Sequence, residues 1–343
     1  MKVLTFGELL LRLKSEGNYR LLQTQNLEAT FGGGEANVAI SLANYGIESE
    51  FFTALPDNRI GDAAVSEIRK YGVDTKNIIR RPGRMGIYFL EEGSCQRPSR
   101  VIYDREYTAI SMLDAKEADW DKLLNGIEWF HISGITPAIN QNLADITLEA
   151  VKSASSKGIT VSVDLNYRGK LWKYGKKPEE VMSKITEYAD VLIAGREDIQ
   201  KCLGIGNDIK TANDDDSLNM EGFRRLTDET MKNYPNLKKT VVTLRESRSC
   251  DHNFFSACFN NGEDFYTSTC YEIKDIVDRV GTGDAFSGGL IYGLISYKDD
   301  MKALEFATAA ACLKHTIEGD INLVTVEETE ELMRGSASGR VQR

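Results

Sequence analysis

Four consecutive residues carry the clearest chemical signal in this 343-residue chain: Gly281, Thr282, Gly283 and Asp284. Apolar side chains recur at helical spacing from Phe286 to Tyr297, which predicts a helix that begins near Asp284. The first N–H groups of a helix lack partners within the helix and favour a bound anion. A carboxylate repels such an anion, but it can take the proton from a hydroxyl that attacks a phosphoryl group. For the motif alone, a capped helix after a glycine-rich turn is the alternative.

A second glycine-rich turn, Gly32-Gly33-Gly34, precedes a predicted helix over residues 35–45. Consecutive glycines let the backbone approach a ligand closely. The side-chain amide of Asn37, one turn into the helix, can hydrogen-bond the hydroxyl groups of a sugar. A flexible turn before an ordinary helix is the alternative interpretation.

A polar segment over residues 164–168 follows a predicted strand and contains Asn166 and Arg168. Ligands of parallel α/β sheets collect at the carboxyl ends of the strands, which makes this segment a candidate for binding. Arg168 and Arg105 can together hold a carboxylate through bidentate hydrogen bonds. Two surface arginines without a ligand are the alternative.

The elements that must position these residues alternate between strand and helix. Strands are predicted at 3–6, 51–55, 129–133, 160–164, 191–194 and 240–244. Helices are predicted at 35–45, 61–71, 143–156, 178–188 and 301–315, the last packed closely against 287–297. This alternation indicates an α/β fold in which helices cover both faces of a mainly parallel sheet. We expect residues 1–343 to form a single domain.

Two segments, 9–31 and 85–109, alternate like strands but contain no helical pattern. They predict hairpins that form a small sheet projecting from the α/β body, where it can act as a lid. Ordinary surface hairpins are the alternative. The acidic run at 213–217 is predicted to be a solvated loop or the entry to a helix.

Composition excludes several classes of function. The formal net charge of −10 argues against non-specific binding of nucleic acid or of anionic membranes. No stretch approaches the about 18 apolar residues of a membrane span, and no signal-peptide pattern is visible. The six cysteines are scattered, which predicts reduced thiols in a cytoplasmic protein. Three histidines are too few to favour a histidine metal cage or a Ser-His-Asp triad.

With its two glycine turns in this order, the chain resembles the ribokinase-like (PfkB) sugar kinases. That family combines a Gly-Gly turn near the N-terminus with a Gly-x-Gly-Asp motif near the C-terminus, and the resemblance covers nearly the whole chain. Within the family the chain is most similar to the 2-keto-3-deoxygluconate kinases. The similarity rests on Gly33-Gly34 with Asn37, on Tyr88, and on the segments 100–105, 164–168 and 338–343.

The resemblance implies roles for named residues. Asp284 is expected to be the general base, and the N–H groups of Gly281, Thr282 and Gly283 to form an anion hole for the transferred phosphoryl group. The substrate is expected to contact Gly33, Gly34, Asn37, Tyr88, Tyr103, Arg105, Asn166 and Arg168. The nucleotide is expected to contact Thr243, Arg245 and Ser247, together with Gly281 and Gly283.

The resemblance also implies ATP and Mg2+ as cofactors and leaves a monovalent-cation requirement open. The family places an asparagine near Gly195 and a carboxylate near Asp198, which help to organise magnesium-bound water. Because the asparagine is absent, Asp198 or Glu197 is expected to act through water, and solvated helix acids are the alternative. The lid often joins two subunits in this family, which implies a homo-oligomer.

We therefore expect ATP-dependent phosphorylation of the primary hydroxyl of 2-keto-3-deoxygluconate, giving 2-keto-3-deoxy-6-phosphogluconate. A fructokinase or ribokinase type of the same family is the first alternative, although a neutral sugar needs no pair of arginines. A catalytically silent sugar-sensing protein is the second, and the altered region at Gly195 is its only support.

Overall fold

The computed structural model describes residues 1–212 and 218–335. The predicted acidic loop at 213–217 and the terminal segment 338–343 lie outside the described residues. In the described ranges the strands are β1 (Lys2–Phe6), β2 (Leu10–Ser15), β3 (Leu27–Gly32), β4 (Glu48–Phe52), β5 (Ala54–Pro56), β6 (Ile79–Arg81), β7 (Gly86–Glu91), β8 (Arg100–Asp104), β9 (Trp129–Ser133), β10 (Thr160–Asp164), β11 (Val191–Gly195), β12 (Lys239–Ser249), β13 (His252–Asn260), β14 (Phe265–Thr267) and β15 (Tyr271–Lys274).

The helices of the same ranges alternate with these strands through most of the chain. They are α1 (Gly34–Asn44), α2 (Arg59–Lys70), α3 (Trp120–Leu123), α4 (Ile135–Ile139), α5 (Gln141–Ser156), α6 (Pro178–Thr186), α7 (Arg196–Leu203), α8 (Met220–Asn233), α9 (Thr282–Ser296), α10 (Asp300–Lys314) and α11 (Val326–Met333). No helix among the described residues has the length and apolar character that a membrane crossing requires.

The central sheet is mainly parallel, as predicted. Strands β4, β1, β9, β10, β11 and β12 lie side by side in parallel, and β13 then pairs antiparallel with β12, β14 and β15. Successive residues of a strand point to opposite faces, so Trp129 and Phe130 of β9 enter different apolar clusters. Helices α5, α6 and α8 contribute to the Phe130 cluster, whereas α1, α9 and α10 contribute to the Trp129 cluster. The predicted fold class, with helices on both faces, is confirmed.

Helices α9 and α10 pack closely, also as predicted. A Cβ atom placed on Gly293 would lie 2.6 Å from the Cα atom of Ala303, so the two backbones are too close for a larger residue. The Ala-rich face of α10 is fully buried at Ala307, Ala310 and Ala311. This packing holds α9 rigidly, and α9 carries Asp284 in its first turn.

A separate small sheet has the strand order β3-β2-β7-β8. The pairs β2/β3 and β7/β8 are antiparallel hairpins, and β2 pairs with β7 in parallel, so both predicted hairpin segments belong to one sheet. The edge strand β8 leaves Ile102 and Tyr103 exposed. The small sheet therefore stands apart from the central one and borders the region where the site residues gather.

One predicted strand differs in the structure. The segment predicted as a single strand at 51–55 is divided between β4 of the central sheet and β5, which pairs with β6 in a two-stranded sheet. Thr53, between the two strands, is fully buried. The run is apolar on both sides of it, so the sequence contains no turn signal that would mark the division.

Candidate active site

A cavity lies where the central strands end at their carboxyl side, next to the small sheet. Its volume is about 740 Å³, which is in the range of small-molecule sites. Asp164 ends β10, Gly195 ends β11, and both line the cavity together with residues of β12. The small sheet contributes Tyr88 and Tyr103 to the opposite wall.

Most of the predicted site residues meet in this cavity. Its lining includes Gly33, Gly34, Asn37, Tyr88, Tyr103, Arg105, Asn166, Arg168, Asp198, Thr243, Arg245, Gly281, Thr282, Gly283 and Asp284. Ser247 is placed farther along β12, where it is exposed and its hydroxyl accepts a hydrogen bond from Arg279 at 3.4 Å. The chain thus brings together residues from both glycine turns, from three strand ends and from the small sheet.

The Gly-x-Gly-Asp motif forms the first turn of α9. The helix begins at Thr282, two residues before the predicted position. Gly281 caps it with a left-handed backbone (φ 79°), and a Cβ atom there would lie 1.9 Å from the carbonyl oxygen of Asp320. Only glycine fits this position without displacing the backbone. Gly283 is exposed and lines the cavity, and a Cβ atom there would meet nothing within 4 Å, so the first turn of α9 is open to a ligand at this residue.

Asn37 holds the carboxylate of Asp284 in place. The Nδ2 atom of Asn37 donates to Oδ2 of Asp284 at 2.7 Å, and its Oδ1 accepts from the backbone N–H of Gly33 at 3.4 Å. The two glycine turns are therefore joined through one buried side chain. Asn37 was predicted to contact the substrate, and that contact stays a prediction. A Cβ atom on Gly34 would lie 3.5 Å from Oδ1 of Asp284, so the absence of a side chain leaves that oxygen accessible.

The environment of Asp284 suits a general base. Burial raises the pKa of Asp284 to about 7, the negative charges of Asp320 and Glu35 add to this effect, and the hydrogen bond from Asn37 opposes it. A carboxyl group that titrates near neutral pH can accept a proton efficiently while remaining partly ionised. This property is independent of the motif from which Asp284 was predicted.

The arginine and tyrosine on the small-sheet side are already paired. Arg105 is buried and forms an ion pair with Glu8, whose other oxygen accepts from the hydroxyl of Thr108 at 3.1 Å. The hydroxyl of Tyr88 donates to the two carboxylate oxygens of Asp320, at 2.5 and 2.7 Å. Both acids line the cavity, and neither was predicted from the sequence.

A buried ion-pair network connects this side to the loop before α9. Arg12 of β2 is 1% exposed and donates to Asp320 at 2.6 Å and to Asp278 at 2.5 Å. Burial raises the pKa of Asp320, and the charge of Arg12 opposes that rise. Because Asp278 lies three residues before Gly281, the small sheet is linked directly to the predicted anion hole.

A second group of acids occupies the ends of β10 and β11. Asp198 accepts from the backbone N–H groups of Gly195 at 2.6 Å and Tyr167 at 3.0 Å, so it stabilises the first turn of α7. Burial raises the pKa of Asp164 well above its usual value, and repulsion from Asp198 and Asp284 contributes. Carboxylate oxygens that repel one another in this way fit a hard divalent cation such as Mg2+. Asp164 was not assigned a metal role from the sequence.

Arg168 and Arg245 lie on the same cavity but are not neutralised like Arg105. Arg168 is exposed, and its Nη1 donates only to the neighbouring carbonyl oxygen of Tyr167, at 3.0 Å. Arg245 extends from β12 and donates to the hydroxyl of Thr282 at 2.9 Å. Neither forms an ion pair with a carboxylate among residues 1–212 and 218–335. These two cations can therefore accept an anionic ligand.

Comparison with known proteins identifies the family. The family model for pfkB family carbohydrate kinases matches residues 2–326. The chain belongs to the pfkB family of carbohydrate kinases. Its fold is similar to the crystal structure of 2-dehydro-3-deoxygluconokinase from Thermotoga maritima, with 47% identity, a TM-score of 0.91 and 98% coverage of both chains. The predicted ribokinase-like fold and carbohydrate kinase class are thereby confirmed.

Two further relatives are named as kinases of sugar acids. The chain is 31% identical to the 2-dehydro-3-deoxygalactonokinase of Haloferax volcanii over 98% of both chains. It is 25% identical to a 5-dehydro-2-deoxygluconokinase of Clostridium perfringens, covering 92% of this chain and 87% of the relative. The kinase is thus close to 2-dehydro-3-deoxy sugar acid kinases.

Proposed function

We propose that the protein transfers the γ-phosphoryl group of ATP to the primary hydroxyl of 2-keto-3-deoxygluconate, giving 2-keto-3-deoxy-6-phosphogluconate. The observation that carries the proposal is the position of Asp284, a carboxyl group with a pKa near 7 in the open first turn of α9. Similarity to kinases named for 2-dehydro-3-deoxy sugar acids supports the substrate class. The galactonate epimer is a second candidate, because a relative that covers nearly the whole chain is named for it.

In this reaction Asp284 positions the primary hydroxyl and takes its proton as the oxygen attacks the phosphorus. The bond from the phosphorus to the leaving ADP oxygen breaks as the new oxygen–phosphorus bond forms. The N–H groups of Thr282 and Gly283 at the start of α9 face the negative charge on the phosphoryl oxygens. Asn37 keeps the carboxylate oriented and prevents its pKa from rising further.

The keto acid occupies the end of the cavity between the small sheet and α1. Arg168 and the N–H groups of Arg105 that Glu8 does not occupy bind its carboxylate. Further contacts come from residues that line the same end: Gly33, Gly34, Asn37, Tyr88, Tyr103 and Asn166. The side-chain oxygen of Asn166 is buried without a hydrogen-bond partner among the described residues, so it is available to a ligand hydroxyl.

The nucleotide occupies the other end, along β12. Thr243 and Arg245 line it there, and the phosphates reach Gly281 and Gly283. Ser247, farther along β12, is proposed to contact the outer part of the nucleotide. Asp164 and Asp198 would hold Mg2+, directly or through water, because both line the cavity and provide oxygen ligands. When bound, the ion supplies positive charge to the phosphate oxygens.

The small sheet acts as the lid and as the contact between subunits of a homo-oligomer. It supplies Tyr88 and Tyr103 to the cavity, so its movement opens or closes the sugar end. Its edge strand β8 also exposes Ile102 (56%), an apolar side chain that a second copy can cover. Closure of such a sheet excludes water and limits wasteful hydrolysis of ATP.

The test is ADP release with Mg-ATP and a panel of acceptors. The panel contains 2-keto-3-deoxygluconate, 2-keto-3-deoxygalactonate, 5-keto-2-deoxygluconate, fructose and ribose. We expect turnover with one or both 2-keto-3-deoxy acids and little with the neutral sugars. Turnover with fructose or ribose alone would contradict the carboxylate site, and no turnover with any acceptor would contradict the proposed function.

A further inference from the structure

One guanidinium group lies against the predicted anion hole and has no carboxylate partner in the part of the chain that the structure describes. Arg245 is in β12, opposite Phe255 of β13, and its guanidinium carbon lies 5.7 Å from the centre of the Phe255 ring. Its Nη2 donates to the hydroxyl of Thr282, the first residue of α9, at 2.9 Å. The ring and the hydroxyl fix the group in one orientation, yet they do not neutralise its charge.

The surroundings of Arg245 disfavour its positive charge and do not compensate for it. Arg245 is exposed to the cleft but has protein on most sides, and this loss of solvent lowers its pKa to about 10, with contributions from Arg279 and Arg168. The group therefore stays charged at neutral pH while lying near two like charges. Such an arrangement is unfavourable in an empty site and becomes favourable when a polyanion enters.

The neighbouring Arg279 is already used for structure. Its Nε donates to the backbone carbonyl of Cys250 at 2.5 Å, and another of its N–H groups donates to Ser249. It thereby holds the turn between β12 and β13. Arg168 lies across the cavity on the β10 side. Of the three guanidinium groups, that of Arg245 donates a hydrogen bond to the first turn of α9.

We propose that Arg245 is a further catalytic residue, which binds a non-bridging oxygen of the transferring phosphoryl group beside the N–H groups of Thr282 and Gly283. The inference rests on the proposed kinase reaction. The guanidinium stays protonated throughout: the hydroxyl proton goes to Asp284, and the electron pair of the broken phosphorus–oxygen bond stays with ADP. Its role is to stabilise negative charge as the phosphoryl group moves, as arginines do in other phosphoryl transfers.

The test compares Arg245→Met with two controls. Removing one fixed charge from a transition-state site lowers kcat by about 100-fold to 1000-fold. We expect this loss in Arg245→Met, with a nearly unchanged KM for the sugar acid, and partial recovery in Arg245→Lys. The matched control is Arg248→Met, because Arg248 lies on the same strand but pairs with Glu246 outside the cavity. That variant should keep wild-type kcat.

A structural role for Arg245 predicts a different pattern. If Arg245 acted only by holding Thr282, then Thr282→Ala would reduce kcat as much as Arg245→Met does. We expect Thr282→Ala to reduce kcat much less than Arg245→Met does, because the backbone N–H of residue 282 and the guanidinium of Arg245 both remain. Equal losses in the two variants would overturn the inference.

Calorimetry of a transition-state analogue complex tests the role of Arg245 independently of turnover. We expect wild type to bind ADP with aluminium fluoride and the sugar acid much more tightly than ADP alone, measured by calorimetry. Arg245→Met should lose most of that gain while keeping its affinity for ADP. An undiminished gain in Arg245→Met, or a kcat close to that of an active wild type, would overturn the role of Arg245. An inactive wild type would instead overturn the proposed function.

Discussion

The two ends of the cavity differ in how much of their charge is fixed by buried partners. At the sugar-acid end, Arg105 is paired with Glu8, and Asp320 is paired with Arg12 and Tyr88, while the exposed Arg168 is left without a carboxylate partner among the described residues. At the phosphate end, Arg245 has no carboxylate partner among the described residues, and a hydrogen bond to Thr282 and the ring of Phe255 position it. Buried ion pairs therefore shape the sugar-acid end, and each end keeps one arginine available to an anionic ligand.

Asp284 lies where the two ends meet, and its removal should have the largest effect. In Asp284→Asn the side chain keeps its size but can no longer take the hydroxyl proton. We expect kcat to fall by about 100-fold or more, while sugar-acid binding and folding are mostly retained. Steady-state kinetics with calorimetry of sugar-acid binding checks this. Turnover close to wild type would remove Asp284 from the mechanism.

The buried ion pairs that support the sugar-acid end of the cavity can be removed by substituting Arg12. Arg12→Met leaves Asp278 and Asp320 buried without their cation, which should lower the free energy of unfolding by about 3–5 kcal/mol. Urea unfolding measures the change. The control is Arg20→Met: that side chain is 62% exposed, its nearest carboxylate oxygen is 3.9 Å away, and its loss should cost less than about 1 kcal/mol. If both variants lost the same free energy of unfolding, the buried network would stabilise the fold no more than an exposed ion pair does.

The carboxylate site can be tested at Arg105 and Arg168. Each substitution to alanine should raise KM for the keto acid by about tenfold or more, since a hydrogen bond to a charged group contributes about 1.5–3 kcal/mol. Any turnover of fructose should change little. The control is Arg84→Ala, shortly before β7, where an exposed ion pair with Asp104 of β8 is removed. Equal effects on keto acid and fructose would contradict the assignment of these arginines to the carboxylate.

A smaller effect is expected at Asn37. Its hydrogen bond lowers the pKa of Asp284, so Asn37→Ala should raise that pKa and leave less of the ionised base at pH 7. We expect kcat/KM at pH 7 to fall by about threefold to tenfold and to recover in part at higher pH, because the contact of Asn37 with the substrate stays lost. Asn44→Ala on the same helix is the control, because Asn44 donates to the backbone of Asn322 instead. A loss of the same size at pH 7 and at high pH would contradict the effect of Asn37 on the pKa of Asp284.

Much of the fold was predictable from local patterns. Helical spacing after Asp284 placed the start of α9 within two residues, and alternation without helical spacing located the strands of the small sheet. The division between β4 and β5 was not predictable, because the apolar run at 51–55 shows no break. It depends on which neighbouring strand each half meets in three dimensions.

The hydrogen bonds and ion pairs within the site were harder to predict than the residues that form the site. Asp320 and Glu8 are single acids among 52 acidic residues, and no motif distinguishes them. Tyr88 and Asp320 are 232 positions apart, and Asn37 and Asp284 are 247 apart, so only the folded chain reveals these contacts. The glycine turns were predictable because a backbone that approaches a ligand closely needs glycine, and glycines are visible in the sequence.

The role of Asp284 as general base can be measured through the pH dependence of kcat/KM for 2-keto-3-deoxygluconate. Asp284 acts as a base only when ionised, so with its pKa raised to about 7 the rate should fall as pH drops through that value. We expect kcat/KM of the wild type to decline on the acid side of the profile with a midpoint near pH 7. The residual activity of Asp284→Asn should not show this decline. A midpoint near the ordinary carboxyl value of about 4, or a decline that persists unchanged in that variant, would contradict this role.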